Sequence, residues 1–278
     1  MPLDRTAFNA LIDGTTVWNK NQIKVVILDP VDVALLVPAA PVVSTITLTG
    51  TQNDVVIPAS CAVLRCNNAS LLTITGIAAG VSGQRLSIHA VGAGNVALMG
   101  QLGGTASAAA NRLSNFNLIG PTMLGSGAGI AVYEYDATAT RWKLIAHDQG
   151  VAINVPYLNT DFTSPTGSWV VDSGDVLIWS YYQRGKYLSI TIYVQLFSVT
   201  GTPAHLRLTL PNGWTTVSSV IYPGLTFINN TGGWTGGGVY QVAPDLTYVS
   251  IWTAFQGAVW ATSVNTSQLQ GTVTFELK

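Results

Sequence analysis

A stretch of strict alternation in the last third of the chain limits most what this sequence can fold into. From Tyr187 to Leu196 an apolar residue stands at every second position, with polar residues or tyrosine between them. Because successive side chains on a β-strand point to opposite faces, this pattern predicts a strand with one buried and one solvated face. Residues 205–210 and 272–277 repeat it, with Gly and Pro between the runs. Several such strands predict an antiparallel β-sandwich over residues 161–278.

The composition also favours β-structure. Charged residues are 9% of the 278 positions, against about 25% in an average soluble domain. Glu134 and Glu276 are the two glutamates, and glutamate and lysine are the residues that usually cover exposed helices. The abundant Gly, Thr, Ser and Val suit strands and turns instead. The sequence therefore predicts an all-β chain apart from its first residues.

The few charges bear on possible partners. The net charge is −1 and the basic residues form no stripe, so we expect no nucleic-acid binding. The longest apolar run, residues 33–43, is broken by Pro38 and Pro41, so we expect no membrane insertion. No signal peptide is recognisable at the start, which predicts synthesis in a cytoplasm. A chain that is 48% hydrophobic with so few charges either has a large core or hides much of its surface in an oligomer. We expect an oligomer.

Residues 1–30 differ from the rest and predict two short helices. Asp4 can cap the first, which Gly14 ends, and Pro30 stops the second. Two short helices cannot bury a core by themselves, so the segment is interpreted as an anchor that docks on another protein, with a domain cap or leader as the alternative. Residues 31–41 follow as an extended linker. The residues expected to make the attachment are Phe8, Leu11, Ile12, Trp18, Ile23 and Val26.

Residues 42–148 predict a second β-rich module. Short strands are expected around residues 45–49, 70–76, 84–90 and 95–99, and the module closes with a hairpin. The hairpin strands, residues 131–135 and 141–145, are joined by a turn that begins at Asp136. Residues 149–160 are interpreted as a second linker. Cys61 and Cys66 are too few for a disulfide framework and are expected to be buried thiols.

No metal or cofactor site is expected. The three histidines, His89, His147 and His205, are far apart and form no metal-binding motif, so each is interpreted as a polar surface residue of a strand. Asp172 and Asp175 flank a Ser-Gly pair, a spacing that suits a turn and supplies too few oxygens for Ca²⁺.

No enzyme signature is present either. Glu134 and Asp136 share a strand face, and paired carboxylates can cleave glycosides, but the position of Asp136 favours a turn. The chain has neither a nucleophile elbow nor a phosphate-binding loop. We therefore expect that the protein is not an enzyme.

Aromatic residues are the remaining signal for ligand binding. They crowd the last third of the chain, and aromatic rings stack on sugars and anchor interfaces. The alternative is that they fill the sandwich core or a contact between subunits. The candidates for ligand contact are Trp214, Tyr222, Trp234 and Tyr240, with Trp234 favoured because glycines flank it.

Three stretches together resemble bacteriophage fibre and spike proteins. The first, AFNALIDGTTVWNKNQIKVVILDPVD, resembles their attachment segment. The second, from TITGIAAGVSGQRLSIHAVGAGNVAL to GAGIAVYEYDATATRWKLI, is similar to a β module of their shafts. The third, from FTSPTGSWVVDSGDVLIWSYYQRGKYLSITIYVQLF to GTVTFEL, is similar to a C-terminal jelly-roll head of the TNF/C1q-like kind.

This resemblance implies a homotrimer on a virion surface, mounted through residues 1–30 on the major capsid protein or on a tail component. Because the chain lacks the long repeats of an extended fibre, a short capsid spike or decoration protein that adheres to host surface glycan is favoured. The alternatives are a tail-fibre receptor-binding protein, a glycan depolymerase that uses Glu134, Asp136 or an acid pair formed between subunits, and a carbohydrate-binding module of a secreted bacterial protein.

Overall fold

The computed structural model describes residues 41–103, 106–223, 227–230, 233–234, 238–253 and 259–278. The predicted anchor of residues 1–30, its six attachment residues and all but the last residue of the first linker lie outside this part. Pro41–Lys278 form one compact unit. The described residues contain no α-helix; their helical turns are three short 3-10 segments at Ala109–Asn111, Asn159–Asp161 and Pro211–Gly213. The prediction of a mostly β chain with antiparallel sheets at its C-terminal end is confirmed.

Ten strands form the middle module, residues 42–148. They are β1 (Val42–Ile46), β2 (Gly50–Gln52), β3 (Cys61–Cys66), β4 (Leu72–Ile74), β5 (Arg85–Ala90), β6 (Val96–Met99), β7 (Leu113–Ser114), β8 (Pro121–Leu124), β9 (Ile130–Asp136) and β10 (Arg141–Asp148). One sheet has the order β1-β3-β5-β9-β10-β7 and the other the order β2-β4-β6-β8.

The first six strands of the middle module wind as a solenoid. β1, β3 and β5 pair in parallel in one sheet, and β2, β4 and β6 pair in parallel in the other. Val43 pairs with Val63 and Val63 with Ser87, so successive coils are 20 and 24 residues long. Each coil buries its apolar side chains against the next one, as in other stacked-repeat folds. The hairpin of β9 and β10 then adds to β5 antiparallel and closes the coils.

Close backbone packing and a buried amide hold neighbouring coils together. The Asn68 side chain is 1% exposed, and its Nδ2 donates to the carbonyl oxygens of Ser70 at 2.6 Å and Asn95 at 3.0 Å. A Cβ at Gly94 would lie 2.1 Å from the Ser70 carbonyl oxygen, so only glycine fits there. Cys61 and Cys66 are buried and unbonded to each other, as predicted.

The described residues of the head, from residue 153 onward, contain twelve strands. They are β11 (Ile153–Asn154), β12 (Phe162–Thr163), β13 (Ser168–Val170), β14 (Val176–Arg184), β15 (Tyr187–Thr200), β16 (Leu206–Thr209), β17 (Val220–Pro223), β18 (Phe227–Asn230), β19 (Gly233–Trp234), β20 (Val239–Val242), β21 (Tyr248–Trp252) and β22 (Ser263–Glu276). The large head sheet has the order β11-β14-β15-β22-β18-β19, with β13 on the end of β15, and the smaller sheet has the order β12-β16-β21-β20-β17. Every pairing in both sheets is antiparallel.

Both head sheets bury side chains in one shared core. Leu188, Ile190 and Ile192 of β15 meet Leu208 of β16 and Ile251 of β21 in this core. The alternation predicted for β15 is therefore present, but it stops at a bulge. Leu196 in this bulge is 56% exposed and has a φ of 56° instead of lying with the other apolar residues of the strand.

The middle module and the head share a junction. On β8, Leu124 lies in the core of the middle module while Met123 lies in the core of the head. On β6, Leu98 and Ala97 divide in the same way. Opposite faces of the second solenoid sheet therefore contribute to two different cores. The segment predicted as a linker, residues 149–160, crosses this junction and contains β11, which pairs with β14.

Candidate functional site: a groove at the junction

The aromatic candidates divide into buried and undescribed residues. Trp214 is 0% exposed and donates from Nε1 to the Pro121 carbonyl oxygen at 2.9 Å, while Tyr240 is 1% exposed in the head core. Neither ring presents a face to solvent, so we do not include them in a site. Tyr222 and Trp234 lie in β17 and β19, but their side chains fall outside the described residues.

The two carboxylates considered for glycoside cleavage are both ion-paired. Glu134 accepts from Arg85 Nε at 3.0 Å, and Asp136 pairs with Lys143. The hydrogen bond from Lys143, together with those from the backbone at Ala139 and Thr138, lowers the pKa of Asp136. A general acid in glycoside cleavage needs a raised pKa, so this pair does not suit the reaction. The predicted turn at Asp136 is confirmed by those two backbone hydrogen bonds.

The other predicted polar positions are structural. Asp172 and Asp175 close a turn on each other, since the Asp172 N–H donates to the Asp175 carboxylate at 2.9 Å and the Asp175 N–H to the Asp172 carbonyl at 3.0 Å. Within the described ranges, no three or more His, Cys, Asp or Glu side chains gather as metal ligands would.

One histidine corrects its interpretation as a surface residue. His147 is only 8% exposed, because β10 carries it into the junction. The Gly185 N–H donates to its Nδ1 at 3.1 Å, and Nε2 lies 2.8 Å from the Met123 carbonyl oxygen. A nitrogen that accepts from a backbone N–H carries no proton, so these partners assign a neutral ring with its proton on Nε2. Burial lowers the pKa of His147, in agreement with this assignment.

Two buried glutamines continue this network across the junction. Gln183 Oε1 accepts from the Met123 N–H at 2.9 Å, and Gln149 Oε1 accepts from the Gln183 N–H at 2.8 Å. Gln149 Nε2 donates to the carbonyl oxygens of Val151 at 2.7 Å and Tyr181 at 3.0 Å. Because each of these buried polar groups has a partner, the junction is held in one arrangement.

An open groove lies beside this network, where the turn between β14 and β15 meets the middle module. We call it the junction groove; its volume is about 400 Å³, within the range of small-ligand sites. The residues that line it are His147, Tyr182, Arg184, Gly185, Tyr187, Ser189 and Thr274.

Strand register places the polar lining on one face. Arg184 pairs with Tyr187 across a two-residue loop, Tyr182 pairs with Ser189, and Ser189 pairs with Thr274. Paired residues point to the same face and have Cβ atoms about 5 Å apart. Gly185 opens the loop with a φ of 58°, which glycine adopts without strain. The groove is therefore built on a hairpin whose geometry is fixed at both ends.

The charges at the groove are nearly balanced. Tyr182 Oη donates to the Asp148 carboxylate beside the groove, and this bond with that from the Gly150 N–H lowers the pKa of Asp148. Arg184 lies close enough to Asp148 to lower that pKa further. At the end of the hairpin, Lys186 pairs with Glu276. The groove thus offers hydrogen-bond donors and acceptors with little net charge.

The outer face of the large head sheet extends the groove as an uncharged polar surface. Ser189 and Thr274 hydroxyls lie 2.7 Å apart, and Gln268 donates to the Tyr193 hydroxyl at 3.0 Å. Thr191 and Thr272 form another hydroxyl pair at 3.0 Å. These hydroxyl and amide groups, hydrogen-bonded to one another, form a hydrophilic surface that carries no charge.

The alternation of β15 indicated part of this site. It placed Tyr187, Ser189, Thr191 and Tyr193 on the solvated face, but nothing in the sequence brings His147 or Thr274 to them. That proximity depends on the antiparallel partner β22 and on the contact with the middle module, which are both distant in sequence.

Comparisons with known proteins add no identification. No family model matches the chain, and no curated protein or solved structure matches it significantly. Across the part of the chain that the structure describes, no helix has the length and apolar character needed to cross a membrane.

Proposed function

We propose that the protein is a trimeric surface protein of a bacteriophage virion, a short head spike or decoration protein. Its anchor, residues 1–30, mounts it on the major capsid protein, and its jelly-roll head faces outward, where it can adhere to host glycan. A tail-fibre receptor-binding protein differs in the mounting point alone. The sequence resemblance motivates this proposal, and the geometry supports it as follows.

Exposed apolar side chains at one end of the large head sheet carry the proposal. Leu177 is 50% exposed, Leu196 56% and Val264 73%, and all three lie at or next to irregularities in the pairing of β15 with β14 and β22. Exposed apolar residues grouped in this way mark a contact surface. The backbone of Leu196 is also unfavourable, because a positive φ strains any residue that has a Cβ. A neighbouring subunit that covers this end would account for both features.

The joined modules suit a structural role. A buried polar network holds the solenoid against the β-sandwich and leaves no hinge between them. A spike needs such a rigid connection. The ion pairs of Glu134 and Asp136 speak against the depolymerase alternative, because Arg85 engages the first carboxylate and the hydrogen bond from Lys143 lowers the pKa of the second, whereas a general acid needs a raised pKa.

Light scattering on the purified full chain tests the trimer. We expect a mass of about 88 kDa, three times the 29.3 kDa of one chain. Leu196→Asn should weaken the assembly without harming the fold, because Asn tolerates positive φ better than leucine. Val56→Asn, which replaces an 82% exposed valine of the middle module, is the matched control and should remain trimeric. A monomeric mass for the wild type would contradict the proposal.

Immunogold labelling of intact virions tests the location. Antibody against the head should decorate the particle surface, and a chain lacking residues 1–30 should be absent from it. Label confined to the capsid would favour the spike, and label confined to the tail the alternative mounting. Particles that carry no label at all would reject a virion protein.

A further inference from the structure

We propose that the junction groove is a binding site for a single neutral pyranose unit of a surface polysaccharide. This inference deepens the proposed adhesion, because it names a site and a ligand class. It does not depend on where the protein is mounted.

An exposed aromatic ring lines the groove together with polar groups. Tyr187 is 51% exposed, although its cross-strand neighbours Arg184 and Glu276 flank it on both sides. An exposed tyrosine ring offers an apolar face to the C–H side of a sugar while its hydroxyl stays in water. Ser189 and Thr274 lie in the same groove and can exchange their mutual hydrogen bond for bonds to sugar hydroxyls.

The groove presents both hydrogen-bond donors and acceptors. Arg184 is exposed and, among the described residues, its guanidinium makes no direct ion pair, so it can donate to a ligand. Tyr182 is fixed by Asp148, which orients its hydroxyl oxygen as an acceptor. A sugar hydroxyl can accept one hydrogen bond and donate another. It can therefore accept from Arg184 and donate to the Tyr182 hydroxyl oxygen.

The charge balance selects a neutral ligand. Asp148 lies beside Arg184, Glu276 pairs with Lys186, and His147 is held in its neutral form by two backbone partners. The carboxylate of an acidic sugar would be repelled by Asp148 as well as attracted by Arg184. It would therefore add little to the binding free energy. A nucleotide or phosphate would need a cluster of cations that the groove does not have.

The groove is also rigid. The floor of the groove is the hairpin turn at Gly185, which His147 binds through a backbone hydrogen bond. A site that is already ordered loses little entropy when a weak ligand binds. A dissociation constant on the order of 1 mM per site is enough when several linked copies act together.

Saturation-transfer NMR on the full-length wild-type protein tests this assignment. The probes are the methyl glycosides of glucose, galactose, mannose and N-acetylglucosamine, with glucuronic acid and sialic acid as charged comparisons. We expect transfer to at least one neutral glycoside, strongest at protons on one ring face. Transfer to the acidic sugars alone would overturn the neutral class, and transfer to none of the six would overturn the site.

Substitutions locate the binding. Tyr187→Ala and Arg184→Gln should each weaken binding of the neutral glycoside by roughly tenfold, because each removes one direct contact. Tyr248→Ala removes a tyrosine from the other head sheet and is the matched control, which should bind like the wild type. Circular dichroism checks that each variant is folded. Equal binding by Tyr187→Ala and the wild type would show that the sugar binds elsewhere and would overturn the proposal. That result would leave the proposed trimer and its location on the virion unaffected, because light scattering and immunogold labelling test those separately.

Discussion

The middle module and the head are both built of strands, but they connect these strands at very different distances along the chain. In the solenoid, Leu64 pairs with Ile88, 24 residues later. In the head, Leu188 pairs with Phe275, 87 residues later. Coils of the first kind can form one after another from near neighbours, whereas the large head sheet is complete only when the last strand arrives. We therefore expect the solenoid to form first.

The cores of the middle module and the head also differ in their content of tryptophan. Tryptophan in the middle module is confined to Trp142 of the closing hairpin, while the head core contains Trp169, Trp179, Trp214 and Trp260. Narrow coils are filled by aliphatic residues, and the wider space between two sheets is filled by rings. Residues at the junction nevertheless belong to both cores. The independence of the two regions is therefore decided by whether they unfold together.

Trp214→Ala is expected to have the largest effect on this comparison. It empties a fully buried site, breaks the edge contact with Tyr181 at 5.0 Å and removes the shorter of the two side-chain hydrogen bonds to the Pro121 carbonyl, leaving that from Asn117 at 3.4 Å. We expect a loss of about 3–5 kcal/mol in the free energy of unfolding, measured by urea denaturation followed by circular dichroism. If the junction couples the regions, one transition moves as a whole. Two transitions, of which only one moves, would show that they unfold separately.

Gly94→Ala tests the solenoid alone and should have a smaller effect. The new Cβ would meet the backbone oxygen of Ser70, which cannot turn away, so the coils must separate locally. We expect a destabilisation of about 1–3 kcal/mol, measured as a lower urea midpoint. Gly174→Ala in the head is the control, since nothing lies within 4 Å of its new methyl. Equal midpoints for the two variants would disprove close packing between coils.

The smallest expected effect is the dependence of the junction on pH. Burial lowers the pKa of His147 below its usual value near 6.5, so the unfolded chain binds the extra proton more readily than the folded one. This contribution to stability is complete above pH 6.5 and is lost as the pH falls below it. Of the groups near the ring, the Met123 carbonyl and the Asp148 carboxylate both oppose the shift, because each favours the protonated imidazole.

Thermal melts between pH 5 and 7.5 measure this effect. The slope cannot exceed about 1.4 kcal/mol per pH unit for one proton. His147→Gln should flatten the slope between pH 5 and 6.5. His205→Gln is the comparison, because burial also lowers the pKa of that less buried histidine, and it should flatten the slope less. A slope that both variants leave intact would exclude the histidines as its source.

The sequence predicted strands in both regions, but it predicted the antiparallel sheets of the head and not the parallel coils of the middle module, for a physical reason. Long antiparallel strands with one wet face, such as β15 and β22, display their burial as alternation over many residues. Solenoid strands of three to six residues are too short to establish a period, and parallel pairing leaves no local turn signal. The hairpin of β9 and β10 was predictable because Asp136 marks its turn.

Positions with special conformations were not predictable. Leu196 continues the apolar period of β15 but faces solvent, since the bulge shifts the register there. His147 follows a second irregularity, between Leu144 and Ala146, which turns it inward. Of the junction groove, the β15 face was predictable, while the wall contributed by β10 depends on how the two regions pack.

The free edge of the solenoid has a consequence for how the molecule can vary. β1 and β2 pair on one side only among the described residues, at the end of the coils remote from the junction. Inserting one more coil between β2 and β3 would move this edge outward by a single strand spacing, about 4.8 Å, and leave every junction contact unchanged. The distance from this free edge to the head can thus change in discrete steps while the contacts between the two regions stay the same.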